Sequence, residues 1–208
     1  MKRSIVVFVS VVALAAVGCG GGNPGLSART TDGSCEAAYD PELGQTLVVF
    51  EVSGAGPYGV ALPGDEWVVR CASAEGHFSA EREADHMSAR ADSVEVQIQG
   101  SVAEAIANNT NGRIERMRAD GTMVQPITGI ETVDERTISG SFLIGIEDRR
   151  GVMIFAESGV ALPNRLVRLS ISSFPEDPDR GGPILRDLAL AASTFGPLGN
   201  STDSVAQR

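Results

Sequence analysis

Two histidines, His77 and His86, are the only imidazoles in the chain, and Glu75, Glu81, Glu83 and Asp85 lie around them in sequence. Imidazoles beside carboxylates are the residue types that hold a transition metal or supply a general base. Zinc needs three or four converging ligands, and the spacing contains neither His-x-His nor His-x-x-x-His. A serine activated by one of these histidines would make a hydrolase, but no Gly-x-Ser-x-Gly elbow occurs. The segment reads as two histidines on a polar, acidic surface, with no metal and no cofactor.

Other residues offer weaker chemistry. Glu176-Asp-Pro-Asp-Arg-Gly181 has carboxylates for a hard cation but lacks the ligand spacing and terminal glutamate of a calcium loop, so it reads as a solvated linker. Arg113, Arg116 and Arg118 form a short basic stripe interrupted by Glu115, expected as charges on an exposed strand. Tyr58 and Trp67 flank an acidic turn and are the candidate aromatic pair for a sugar. Equally, a sandwich buries such rings in its core, and with aromatics at 5% of the residues Trp67 reads better as core.

The start of the chain carries a clearer signal. Lys2 and Arg3 precede an apolar run from Ile5 to Val17, broken only by Ser10, and then come Ala16-Val-Gly-Cys19 and Gly20-Gly-Gly22. A basic head, a short apolar core and small residues at the exit describe an export signal, too short to span a bilayer. The Ala-Val-Gly-Cys quartet resembles the lipobox of bacterial lipoproteins, with Ala16 where leucine is usual. That resemblance implies cleavage before Cys19, acylation of its thiol, and, because Gly20 rather than aspartate follows, an outer-membrane destination. Cleavage without acylation would instead release a soluble chain. If Cys19 is acylated, Cys35 and Cys71 remain as an even pair in a compartment that permits disulfides. They read as a bridge, with two buried thiols as the alternative.

Loss of the leader removes Lys2 and Arg3, leaving 15 basic against 27 acidic residues and a net charge of −12. Lys2 is the sole lysine, so the mature chain can perform neither phosphate-loop nor Schiff-base nor serine–lysine chemistry. An acidic chain of this kind is also no nucleic-acid binder.

The elements that would position these residues are mostly strands. Short alternating or β-branched runs appear at Thr46–Val52, Glu66–Cys71, Val94–Gln99, Thr137–Ile146, Val152–Ala156 and Arg165–Ile171, separated by turn residues. Asn108-Asn-Thr-Asn-Gly112 predicts a hairpin turn. Ser79–Ala91, rich in Ala, Glu and Arg, reads as a helix or a solvated loop. Pro183 opens a second predicted helix whose Ile184, Leu188, Ala191 and Phe195 share a face that docks on the sheet, while the residues after Gly196 read as a polar, frayed tail. Gly-Val-Ala-Leu-Pro occurs at 59–63 and again at 159–163, which is either a duplicated half or a coincidence of composition.

The expected organisation is a signal peptide (1–18), a lipidated N-terminus and flexible tether (19–34), a β-rich domain (35–174), and a linker, docking helix and polar tail (175–208). The fold class is mainly β: an antiparallel sandwich or small barrel with one or two short helices. The function these features favour is a membrane-anchored envelope module, non-enzymatic, binding a protein, glycan or lipid partner. One form of it carries an apolar ligand inside a barrel. The rival is an anchored hydrolase with His77 or His86 as its base.

Overall fold

Burial alternates along the chain as the sequence requires. Thr46, Val48, Phe50 and Val52 point inward while Leu47 and Glu51 point out, the period-two signature of a strand with one wet face. The computed structural model describes residues 29–30, 35–72, 77–146 and 149–198. Its elements run β1 (Arg29–Thr30), β2 (Cys35–Asp40), β3 (Gln45–Val52), β4 (Gly56–Pro63), β5 (Val68–Ala72), β6 (His77–Arg82), β7 (Met87–Glu95), α1 (Val102–Ala119), β8 (Met123–Thr132), β9 (Thr137–Ile146), β10 (Arg149–Leu162), β11 (Arg165–Ser173), α2 (Gly181–Ser193) and β12 (Gly196–Pro197).

The strands form two sheets. The larger has eight in the order β1-β5-β6-β7-β11-β10-β9-β8, and the smaller has four in the order β12-β4-β3-β2. All pairings are antiparallel except β1 with β5. The sheets do not close on one another, so of the two expected architectures the sandwich is the one formed. The main core lies between them, with Val48, Phe50, Val60 and Leu62 on one side and Val69, Phe78, Leu169 and Ile171 on the other. Helix α2 fills the remainder of that layer, packing on β4, β9 and β10 with Ile184, Leu188, Ala191 and the following Phe195 buried as its sequence pattern predicts. With no closed barrel formed among the described residues, an apolar ligand inside a barrel has no barrel to occupy.

A second core lies on the opposite face of the large sheet. There α1 lays Ala103, Ile106 and Ile114 over Val124, Ile138, Phe142, Phe155 and Leu166. This helix replaces the hairpin expected at Asn108–Gly112. It starts at a capping box, in which the Ser101 hydroxyl accepts from Glu104 N–H at 3.1 Å and the Glu104 carboxylate accepts from Ser101 N–H at 3.3 Å. Gly112 costs a helix about 1 kcal/mol and each asparagine a few tenths, whereas burying Ile106 and Ile114 returns about 1.5–3 kcal/mol apiece. Packing therefore overrides turn chemistry, and the arginine stripe of residues 113–118 lies on a helix, not a strand.

The helix expected over Ser79–Ala91 is also absent: the segment is β6, a 3-10 turn at Ala84–His86, and β7. Phe78 and Ala80, then Met87, Ala89 and Ala91, are buried at period two, and that burial outweighs the small helical preference of Ala, Glu and Arg. Strand β7 ends at Glu95, earlier than the run to Gln99 suggests; Ile98 beyond it packs on the second core. Within the stretch read as tether, Arg29–Thr30 forms β1 at the edge of the large sheet. Of the tail expected to fray after Gly196, Pro197 instead pairs with Tyr58 beside the Gly196–Gly59 pair, and residues 199–208 lie outside the described residues. The two Gly-Val-Ala-Leu-Pro copies end strands in different sheets with unlike neighbours: Leu198 lies over Gly59, whereas Leu166, Ile106 and Val102 crowd Gly159.

Candidate functional site

The cross-strand register places one row of residues on the outer face of the large sheet. Arg70 lies opposite Ser79, Ser79 opposite Arg90, Arg90 opposite Ser170, and Ser170 opposite Glu157. Because side chains on neighbouring strands stand about 5 Å apart, the row is a continuous ribbon of guanidinium, hydroxyl and carboxylate groups. Helix α1 packs on this face over β8, β9 and β10 and over Leu166 of β11. Among the described residues no layer covers it over β5, β6 and β7.

Where the helix stops, a cleft of about 180 Å³ opens between α1 and the sheet. Ile114, Met117, Met153 and Phe155 form its apolar wall, and Ser170 and Ser172 its open side. Glu157 lies within, with 2% of its side chain exposed. Its Oε2 accepts from Thr110 Oγ1 at 3.2 Å, and its Oε1 accepts from Arg113 Nη2, which also donates to Thr110 at 3.0 Å. A buried carboxylate persists only when paired and hydrogen-bonded, and α1 supplies both partners from adjacent turns.

Next to it, Arg168 grips Asp92 with two parallel bonds, Nε to Oδ1 at 3.1 Å and Nη2 to Oδ2 at 2.8 Å. Burial works against the charged arginine, yet the bonds to Asp92, its charge and that of Glu157 outweigh it, so Arg168 holds its proton more tightly than an ordinary arginine. Ser88 and Ser172 share a hydrogen bond of 2.9 Å across β7 and β11 on the same face.

The two histidines do not meet. His86 sits in the β6–β7 turn with positive φ (45°), as does Asp85 (58°), a turn clamped by the Asp85–Arg180 ion pair and by Ser173 Oγ donating to Asp85 O at 2.6 Å. Its exposed ring lies 3.4 Å from Glu176. Around it the surface presents Glu66, Val68, Glu81, Arg82, Glu83 and Met87, among which there is no serine, threonine or cysteine to act as nucleophile. His77 is half-buried at the start of β6, and its Nε2 accepts from Ser93 N–H at 3.1 Å, which leaves Nδ1 as the ring's donor. Glu75 lies outside the described residues. Among those described, no three His, Cys, Asp or Glu side chains converge as metal ligands.

Tyr58 and Trp67 are core residues, 1% and 4% exposed. Tyr58 packs with Phe50 and Phe195 at ring distances of 6.2 and 5.9 Å, and Trp67 Nε1 donates to Pro63 O at 3.0 Å. Burial raises the Tyr58 hydroxyl pKa, against the opposing pull of Arg165. Neither ring faces solvent as a sugar platform would. Cys35 and Cys71 form a disulfide with Cα atoms 5.8 Å apart, joining β2 of the small sheet to β5 of the large one. Cys19 and the leader before it lie outside the described residues.

The polar row was missed in the sequence because it is assembled across strands: Arg70, Ser79, Arg90 and Ser170 have no common motif, and only register aligns them. The single warning was Glu157, an acid following the apolar run Val152–Ala156 of β10. No family model matches this chain, and no curated protein matches it. Among solved structures it is similar to cyanobacterial PsbP (CyanoP) from Synechocystis sp. PCC 6803, known in solution, at 12% identity over 79% of this chain and 93% of that one, with a TM-score of 0.46. A likeness at this level assigns this chain neither partner nor activity.

Proposed function

We propose that this chain is a lipid-anchored protein of the bacterial cell envelope whose β-sandwich is a non-enzymatic binding module. The contact surface in this reading is the uncovered part of the large sheet's outer face. The observation that carries it is the contrast between two filled cores and a sheet face left open over β5, β6 and β7 beside the α1 cleft. Anchoring rests on the leader: Lys2, Arg3, the apolar run to Val17 and Ala16-Val-Gly-Cys19. No described helix is long and apolar enough to cross a membrane, and several acyl chains on one cysteine hold a domain durably, at about 0.8 kcal/mol per buried methylene. Gly20 directs the anchored form to the outer membrane, and the partner is an envelope protein, glycan or lipid.

Acyl labelling in a diderm host tests the anchor. The expected result is label on the wild-type chain, retention in the membrane fraction, and loss of both in Cys19→Ala. A processed but unlabelled wild-type chain overturns it.

A further inference from the structure

A second depression, about 300 Å³, lies on the uncovered face over β5, β6 and β7. Its polar lining is Arg70, His77, Ser79 and Arg90, and it contains no carboxylate. In a chain with 27 acidic residues against 17 basic, that is a local reversal of sign. Asp92 and Glu157 on this face are held by Arg168 and Arg113, and Glu81 lies at the pocket's edge, 3.5 Å from Arg70, in an exposed pair weak enough for an anion to displace. Arg90 has no carboxylate within 4.0 Å among the described residues. It stands between two hydroxyls, Ser79 and Ser170, in the register of β6, β7 and β11.

We propose that this pocket binds a tetrahedral oxyanion of the phosphate type, and that in the anchored protein the anion is the phosphate of a phospholipid headgroup. The donors suit that chemistry. Arg70 and Arg90 are two strands apart, roughly 10 Å between backbones, with the Ser79 hydroxyl between them. Two long guanidinium arms can therefore approach one anion from opposite sides, which a tetrahedral group accepts better than a planar carboxylate served by a single fork. His77 also lines the pocket, its ring fixed by Nε2 accepting from Ser93 N–H.

The membrane source rests on the lipid-anchor reading above. Nine residues lie between Cys19 and Arg29, ten backbone steps with a reach of at most about 35 Å, and Arg29 enters the large sheet beside β5. The pocket is on β5, β6 and β7, the part of the sheet nearest that entry. The α1 cleft at β10 and β11 is farther across the sheet. A tether of this length keeps headgroups at high effective concentration, so a weak pocket suffices to set the domain's orientation despite its overall negative charge.

The test uses the mature chain bearing Cys19→Ala, titrated with inorganic phosphate against chloride at constant ionic strength, with backbone amide shifts of Ser79 and Arg90 as readout. Saturable shifts are expected. Arg90→Ala and Arg70→Ala should each weaken phosphate binding by about tenfold or more, with unchanged unfolding midpoints, and Arg90→Lys should recover part of the loss. Phosphatidylglycerol vesicles should compete with phosphate, and vesicles of a phosphate-free glycolipid should not. Absence of saturable shifts overturns the pocket. Phosphate binding without vesicle competition overturns the lipid source and leaves a site for free phosphate. Because this titration needs no acyl chain, loss of acyl labelling with intact phosphate binding defeats the anchor reading and the lipid source while the pocket stands.

Discussion

Oε2 of Glu157 accepts from Thr110 Oγ1 across 3.2 Å, tying the middle of β10 to the middle of α1. Arg113 completes the arrangement unequally, since 41% of its side chain is exposed against 2% for Glu157. Removing one partner of a buried pair is costly chiefly for the charge left behind. Arg113→Ala strands the carboxylate and is expected to cost about 3 kcal/mol, the low end of such losses because the guanidinium already reaches water. Glu157→Met leaves an arginine that can turn to solvent, so it should cost clearly less. Urea unfolding of the two variants measures the difference; equal losses would refute the asymmetry.

The Cys35–Cys71 link closes a loop of 36 residues and joins the two sheets. In the chain-entropy account a loop of that size contributes about 4 kcal/mol by restricting the unfolded chain. Thermal unfolding with and without reductant should show a drop of many degrees, matched by the double variant Cys35→Ala/Cys71→Ala. An unchanged midpoint in both would show that the link contributes nothing to stability.

Asp134, in the turn between β8 and β9, gives the fold an acid-sensitive point. Burial works to raise its pKa, but the bond from Arg136 N–H at 2.8 Å, the nearby Thr137 and Ser193 hydroxyls and the Arg136 charge outweigh burial and hold it below the usual aspartate range. A carboxyl whose folded pKa is depressed contributes stability above its unfolded pKa and loses it as pH falls through the folded value. Stability should thus decline below about pH 4, with a smaller decline in Asp134→Asn. Parallel slopes for wild type and variant between neutral and strongly acid pH would exclude the contribution.

Much of the sandwich was legible because local pattern and burial agree. Thr137–Ile146 alternates in sequence, and Ile138 and Phe142 are buried on the face that α1 covers. The same holds for β3, β5, β11 and the apolar face of α2. Illegible were the places where tertiary packing overruled local preference. Asn108–Gly112 has the composition of a turn, but its helix is held by Ile106 and Ile114 from either side. Ser79–Ala91 has the composition of a helix, but Ala80 on β6 and Ala89 and Ala91 on β7 face the core. Tyr58 and Trp67 were readable as either core or platform, and only the packing around them resolves which. The outer-face row depended on strand order, which places β7 beside β11 rather than beside β8.

The disulfide also determines how the domain responds to tension. A pull applied through the N-terminal segment first meets β1, two residues paired to the edge of β5, and so weak a pair can peel away. At Cys35 the pull meets a covalent junction to Cys71 and divides, one part running into β2 and the small sheet, the other into β5 and the large sheet. The two halves of the sandwich are therefore tugged together, and shear between them is relieved at the point where strain arrives.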